Sequence, residues 1–283
     1  MAEGVQMGQS PVTAYFERGE AESFVPNDIA QGGWGPTLGG HVVGGLLARE
    51  IELATPDTDL QPARLTVDML RRVSMDPVRV TASVVRTGRR MQAVDATLHQ
   101  GGEEVARASA LYLRRGTQPA DDVWTTPVEM PPVPEDPEQW PESIPMYVRP
   151  YGREADPDGK AFAWQHDGRR YAWVQDFREL IRGEELTPFV RAAMAVDVTA
   201  SLCNFGLSGL AFINADYTMM LSRLPEGPFI GMASLTHYSA DGIATATASL
   251  FDQRGPIGNG LSTAIANPNF KPADMPTRPR ASA

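Results

Sequence analysis

Apolar and polar positions alternate at two different periods along the chain. From Gly40 to Leu53, GHVVGGLLAREIEL follows a helical period. A second helical segment runs from Pro188 to Cys203, with Thr187 as a plausible N-cap and Pro188 suited to the first helical position. After the first helix come RLTVDML, VRVTASVVRTG and RMQAVDATLHQGGEEVARASALYLRR. After the second come FINADYTMML, PFIGMASLTHYS, GIATATASLFDQRG and PIGNGLSTAIA. These runs favour β-branched and aromatic residues and are bounded by Gly, Asp and Asn, as strands are.

The two halves share one layout. Gly88 and Gly242 precede corresponding strands and differ by 242 − 88 = 154, and Gly101 and Gly255 in the next turn differ by 255 − 101 = 154. This spacing predicts two copies of an α+β unit, each with an antiparallel sheet packed on one long helix. The expected boundaries are 1–116 for the first unit, 117–155 for a proline-rich and acidic linker, 156–272 for the second unit and 273–283 for a flexible tail. Trp124 and Trp140 suggest that the linker packs along a surface. The first helix carries Gly44 and Gly45 and starts at Gly39-Gly40. Glycine in a helix costs about 1 kcal/mol relative to alanine, so something must come close to this helix.

Composition narrows the partners. The formal charge is −10, which disfavours nucleic acid. The single cysteine, Cys203, excludes an intrachain disulfide and a Cys-rich metal site and fits a reducing, cytoplasmic setting. MAEGVQMGQSPVTAYFERGE lacks the basic start and apolar core of a signal peptide, and no apolar run is long enough to suggest a membrane span.

Asp197 is the only carboxylate between Ala192 and Gly206, and it shares a helical face with Phe189, Ala193, Val196 and Ala200. A carboxylate in so apolar a helix is costly to ionise unless it is paired, which marks a candidate site. A purely structural role, bonded to backbone or to an arginine, is the competing reading. His41, His99, His166 and His237 show no metal-binding spacing, and no GxSxG elbow or phosphate loop is present. No metal or cofactor is expected. Backbone amides at Gly39, Gly40 and His41, at a helix start, are suited to binding an oxyanion or a polarised carbonyl.

These motifs resemble those of the TesB-like acyl-CoA thioesterases, actinobacterial members in particular. LGGHVVGGLL is similar to a family motif close to FGGxVxGxAL, and Met69-Leu70-Arg71 to a strand ending in Leu-Arg. Gly88-Arg89-Arg90, the aspartate in AAMAVDVTAS, FINADYTMMLSR and the turn from Asp252 to Gly258 have family counterparts too. The resemblance covers about residues 10–116 and 160–268. It implies a double hotdog, in which two antiparallel sheets each wrap a central helix and join edge to edge. It also implies a homodimer that hydrolyses acyl-CoA to a free acid and CoA. The family's aspartate falls on Asp197. Its hydroxyl falls within Ser234-Leu235-Thr236: direct register gives Leu235, and a one-residue bulge would bring in Thr236. Its glutamine position falls at about Ser262, in a strand that contains no glutamine. The expected catalytic set is therefore Asp197, Thr236 and Ser262, with Gly39, Gly40 and His41 binding substrate. The missing glutamine keeps open a module that binds an acyl chain or acyl-CoA without cleaving it.

Overall fold

The computed structural model describes residues 14–135, 146–152 and 164–267. The first half contributes β1 (Ala14–Arg18), β2 (Phe24–Pro26), α1 (Gly40–Leu53), β3 (Leu60–Met69), β4 (Arg79–Thr87), β5 (Met91–Gln100) and β6 (Glu103–Arg114). The second contributes β7 (Met146–Tyr151), β8 (Tyr171–Asp176), β9 (Glu179–Ile181), α2 (Pro188–Val196) and α3 (Val198–Asn204). It continues with the short β10 (Phe205–Gly206), β11 (Gly209–Leu210) and β12 (Phe212–Asn214), then β13 (Asp216–Leu221), β14 (Phe229–Ala240), β15 (Ile243–Asp252) and β16 (Gly255–Ala266).

The strands following α1 and those around α2 and α3 form one continuous eleven-stranded sheet. Its order is β4-β5-β6-β3-β13-β16-β15-β14-β8-β7, with β12 also paired to β16. The halves meet where β3 pairs antiparallel with β13, from Asp68 opposite Asp216 to Arg64 opposite Met220. The Thr66 and Thr218 hydroxyls bond across this seam at 2.9 Å. Inward-facing residues of both halves join the helices in one apolar core.

The first helix lies where its pattern places it. The second is interrupted at Asp197, between α2 and α3, where an unbroken helix was expected. Thr187 caps α2 as expected, accepting from the Val190 N–H at 3.2 Å.

The segment expected as a linker is partly sheet. Residues 146–151 form β7, paired along its length with β8. Proline in this stretch argued against a strand, but β7 is the last strand of the sheet, and an edge tolerates Pro150 because the ladder needs only one side. Trp124 is exposed and does not dock the segment. Val128 and Met130 do, against a small core of Trp173, Phe229, Ala233 and Phe251, and Trp173 Nε1 donates to the Pro131 carbonyl at 3.0 Å. Trp140 and the expected tail lie outside the described residues.

A second tie crosses between the halves. Strand β1 pairs in parallel with β9, and the buried Tyr15 hydroxyl donates to both oxygens of Asp176, at 3.1 and 3.2 Å. Among the described residues, no helix is long and apolar enough to cross a membrane, and no cluster of His, Cys, Asp and Glu could hold a metal ion.

Candidate active site

All four conspicuous glycines have a close neighbour; on Gly39 a Cβ would lie 2.5 Å from the His41 ring. A Cβ on Gly40 would lie 2.6 Å from Asp197 Oδ1 and 2.9 Å from Oδ2, so the carboxylate of the second half rests on the start of the first helix. A Cβ on Gly44 would overlap the Tyr217 hydroxyl and reach within 2.8 Å of Cζ. On Gly45 it would come within 2.8 Å of Met194 Cγ. Side chains from α2 and β13 occupy the volume that side chains on α1 would need.

Asp197 is half-buried, and desolvation of its carboxyl is the main reason it is pushed up to about 6 from the ordinary aspartate range. Two groups oppose this. Asn214 Nδ2 donates to Oδ1 at 3.0 Å, and the His41 backbone N–H also favours the ionised form. Asp197 thus stands at the boundary of ionisation near neutrality, held by one donor from each half of the chain.

The remaining expected residues divide. Gly40 and the His41 amide meet Asp197. The Gly39 amide instead donates to the Ala30 carbonyl at 2.9 Å, so it is not a free donor for a ligand. The His41 ring is buried edge-on to Tyr15, with centroids 5.4 Å apart, and burial lowers its pKa to about 4. It is a neutral packing group at physiological pH.

Ser262 lies on the face of β16 that meets the helices. On the same row, Gly260 faces Thr199 and Val196, and Ala264 is opposite Asn214. Ser262 sits between them on that row. It is 3 % exposed, and its hydroxyl has no hydrogen-bond partner among the described residues.

Thr236 is not brought to this place. A bulge does occur in β14, but it is Leu235 that is extra: Ser234 pairs with Ala248, Thr236 with Thr247 and His237 with Ala246. Directly opposed residues share a face and successive ones alternate. The bulge therefore puts His237 in the row of Ala246 and Ser262, and Thr236 in the opposite row with Thr247 and Leu261. Thr236 lines a separate cavity of about 240 Å³ with Arg169, Arg170 and Cys203. Burial pushes the Cys203 thiol up to about 12, so it is no nucleophile at neutral pH.

Sequence reasoning missed Asn214. As the last residue of the three-residue strand β12, it reads as an ordinary strand boundary, and its contact with Asp197 spans 17 positions. Replacing Asn214 with alanine is expected to raise the pKa of Asp197 further, because burial then acts with one fewer opposing donor. A pH titration of the Asp197 carboxyl by NMR would show the shift, and an unchanged or lower value would contradict it.

The geometry is that of a half-buried acid at a junction of two helices, with one side-chain amide donor and, on the sheet face that meets those helices, a hydroxyl without a partner among the described residues. Residues 30–113 match the family model of the acyl-CoA thioesterase N-terminal domain, and residues 127–265 match that of the C-terminal domain. The chain belongs to the acyl-CoA thioesterase family.

Solved structures at low identity share its fold. A candidate thioesterase II from Thermobifida fusca YX is 18 % identical with a TM-score of 0.66, covering 92 % of this chain and 100 % of that one. A conserved protein of unknown function with a hot dog fold, from Alicyclobacillus acidocaldarius, is 17 % identical with a TM-score of 0.66, covering 91 % and 97 %. The acyl-CoA thioesterase II TesB2 of Mycobacterium marinum is 16 % identical with a TM-score of 0.59, covering 89 % and 95 %. No curated protein matches the sequence. These likenesses make the thioesterase family member a hot dog protein.

Proposed function

We propose that this protein is a double hotdog enzyme that hydrolyses acyl-CoA to a free acid and CoA, with Asp197 as the general base. The observation that carries the reading is the placement of the Asp197 carboxylate. It lies half-buried against the start of α1, bonded by Asn214 and favoured in its ionised form by the His41 amide. An isolated carboxylate shielded from water is a stronger base than an exposed one, and a base whose pKa lies near the working pH is well matched to proton transfer.

In this mechanism Asp197 takes a proton from water as the water oxygen attacks the thioester carbonyl. The carbon–sulfur bond then breaks, and the CoA thiolate leaves with the proton that Asp197 took up, which restores the base. Asn214 keeps the carboxylate in place. The Ser262 hydroxyl, which no group among the described residues engages, holds the water or the developing oxyanion, at the position where the family carries glutamine. A hydroxyl offers one donor where an amide offers two, so this site is a pared-down version of the family's. Thr236 has no part in it.

The test is release of CoA from a panel of acyl-CoAs of differing chain length, followed with a thiol reagent. Release well above the blank supports the enzyme. Binding of a non-hydrolysable analogue with no release from any member would instead support a non-catalytic acyl-CoA binding protein.

The reading also sets a pH profile. Because the base must be ionised, kcat is expected to rise with pH and level off above about 6, where Asp197 loses its proton. His41 titrates well below this range and cannot produce the limb. A rate independent of pH between 5 and 8 would contradict the assignment.

A further inference from the structure

The interruption at Asp197 has an identifiable cause. In a continuous helix the Asp197 amide would bond to the carbonyl of Ala193, four residues back. Here the Asp197 N–H turns to Ala195, and the Ala193 carbonyl accepts instead from the Tyr217 hydroxyl, at 2.8 Å. A side chain inserted into the helical ladder is one of the few ways to interrupt a helix without proline.

Tyr217 is fixed on every side. It is fully buried on β13, a strand paired on one edge with β3 and on the other with β16. Its hydroxyl lies against Gly44 of α1, in the volume that a side chain there would fill. One phenol thus touches the first helix, interrupts the second and belongs to the strand at the seam. The carboxylate four residues beyond Ala193 is the one that reaches Gly40.

We propose that Tyr217 is a positioning residue: by holding the Ala193 carbonyl out of the helical ladder, it turns Asp197 toward the start of α1 and toward Asn214. Gly44 is its required counterpart, because any side chain there would displace the hydroxyl. This rests on the reading of Asp197 as the general base, but the geometry can be tested without turnover.

The hydroxyl donates to a carbonyl and not to Asp197, so removing it alters the carboxylate through position. In Tyr217→Phe the Ala193 carbonyl is free to take back the Asp197 amide, and the side chain swings away from its donors. Asp197 would remain beside the ring at 217 while losing the donors Asn214 and the His41 amide, with no cation among the described residues to replace them. Its pKa should therefore rise, by at least about half a unit. With it, kcat for CoA release should fall about tenfold or more, since a displacement near 1 Å can cost about 10²-fold, while KM stays within about twofold.

The experiment uses the full chain, with acyl-CoA hydrolysis measured across pH and the Asp197 carboxyl titrated by carbon-13 NMR. Tyr217→Gln, which keeps a donor on a long side chain, should recover part of both changes. If Tyr217→Phe does not fold, the titration is read in Tyr217→Gln against wild type, where a smaller shift in the same direction is expected. An unchanged Asp197 titration in the folded variant overturns the proposal, even if the rate falls with the melting temperature. If wild type releases no CoA yet the titration moves as stated, the positioning role stands and the catalytic reading fails.

Discussion

Asp197→Asn is expected to lower kcat for CoA release by about 10²–10⁴-fold, the usual contribution of a general base, and at the same time to make the protein more stable at pH 8. Both effects come from one cause. Burial raises the carboxyl from 3.8 to about 6, so the folded chain holds this proton more tightly than the unfolded chain does. The stability that the protonated form provides is complete below pH 3.8 and is lost as pH rises through 6. A difference of roughly two units, at 1.36 kcal/mol each, amounts to about 3 kcal/mol at alkaline pH. Asparagine cannot ionise and escapes that loss. Urea denaturation at pH 8 should show the variant ahead, with the gap closing by pH 4. A variant less stable than wild type at pH 8 would show that Asp197 is chiefly a structural anchor, and undiminished CoA release would remove it from the mechanism.

The second large effect is expected at Gly44. A methyl group there meets the Tyr217 hydroxyl and the ring carbon behind it. Neither side can give way easily: Tyr217 is fully buried and tied to Ala193, and its strand is bonded on both edges. Overpacking of this kind costs about 1–3 kcal/mol or more. Alanine's better helix propensity returns about 1 kcal/mol. The net loss in Gly44→Ala should be about 2 kcal/mol, visible as a lower denaturation midpoint. In the Tyr217→Phe background, where the hydroxyl is gone, the same substitution should cost clearly less. Equal costs in the two backgrounds would mean that the glycine serves some other neighbour. Gly33, whose Cβ would meet nothing within 4 Å, is the control for a glycine with no such constraint.

Much of this fold was legible in the hydrophobic pattern. The bounds of α1 and the hairpins β5–β6 and β15–β16 follow from periodicity and turn glycines, because one buried face imposes a strict register. Asp197 was legible too, as a carboxylate that an apolar helix would not otherwise tolerate. What escaped was whatever depends on a single distant atom. Asn214 and Tyr217 look like ordinary strand residues until their partners on α2 and Asp197 are in place. The break in the second helix was invisible because its cause lies on another strand, 24 residues from Ala193. Thr236 was expected to reach the site through a one-residue bulge; the bulge occurs, at Leu235, but it puts His237 and not Thr236 in the row of Ser262, and no local signal gives its position. The same holds for β7, whose proline is acceptable only because the strand is outermost.

The carboxylate on Gly40 has a consequence for how the two halves have come to differ. A symmetric pair of identical units would need, at matching helices, both a bare glycine to receive the acid and the acid itself. Joined in a single chain, the units are released from that conflict. One helix is bare of side chains where its neighbour arrives, and the neighbour carries the carboxylate. On the proposed mechanism, either fragment alone would present a socket without a plug or a plug without a socket, and CoA release after cleavage is expected only where the two halves reassemble.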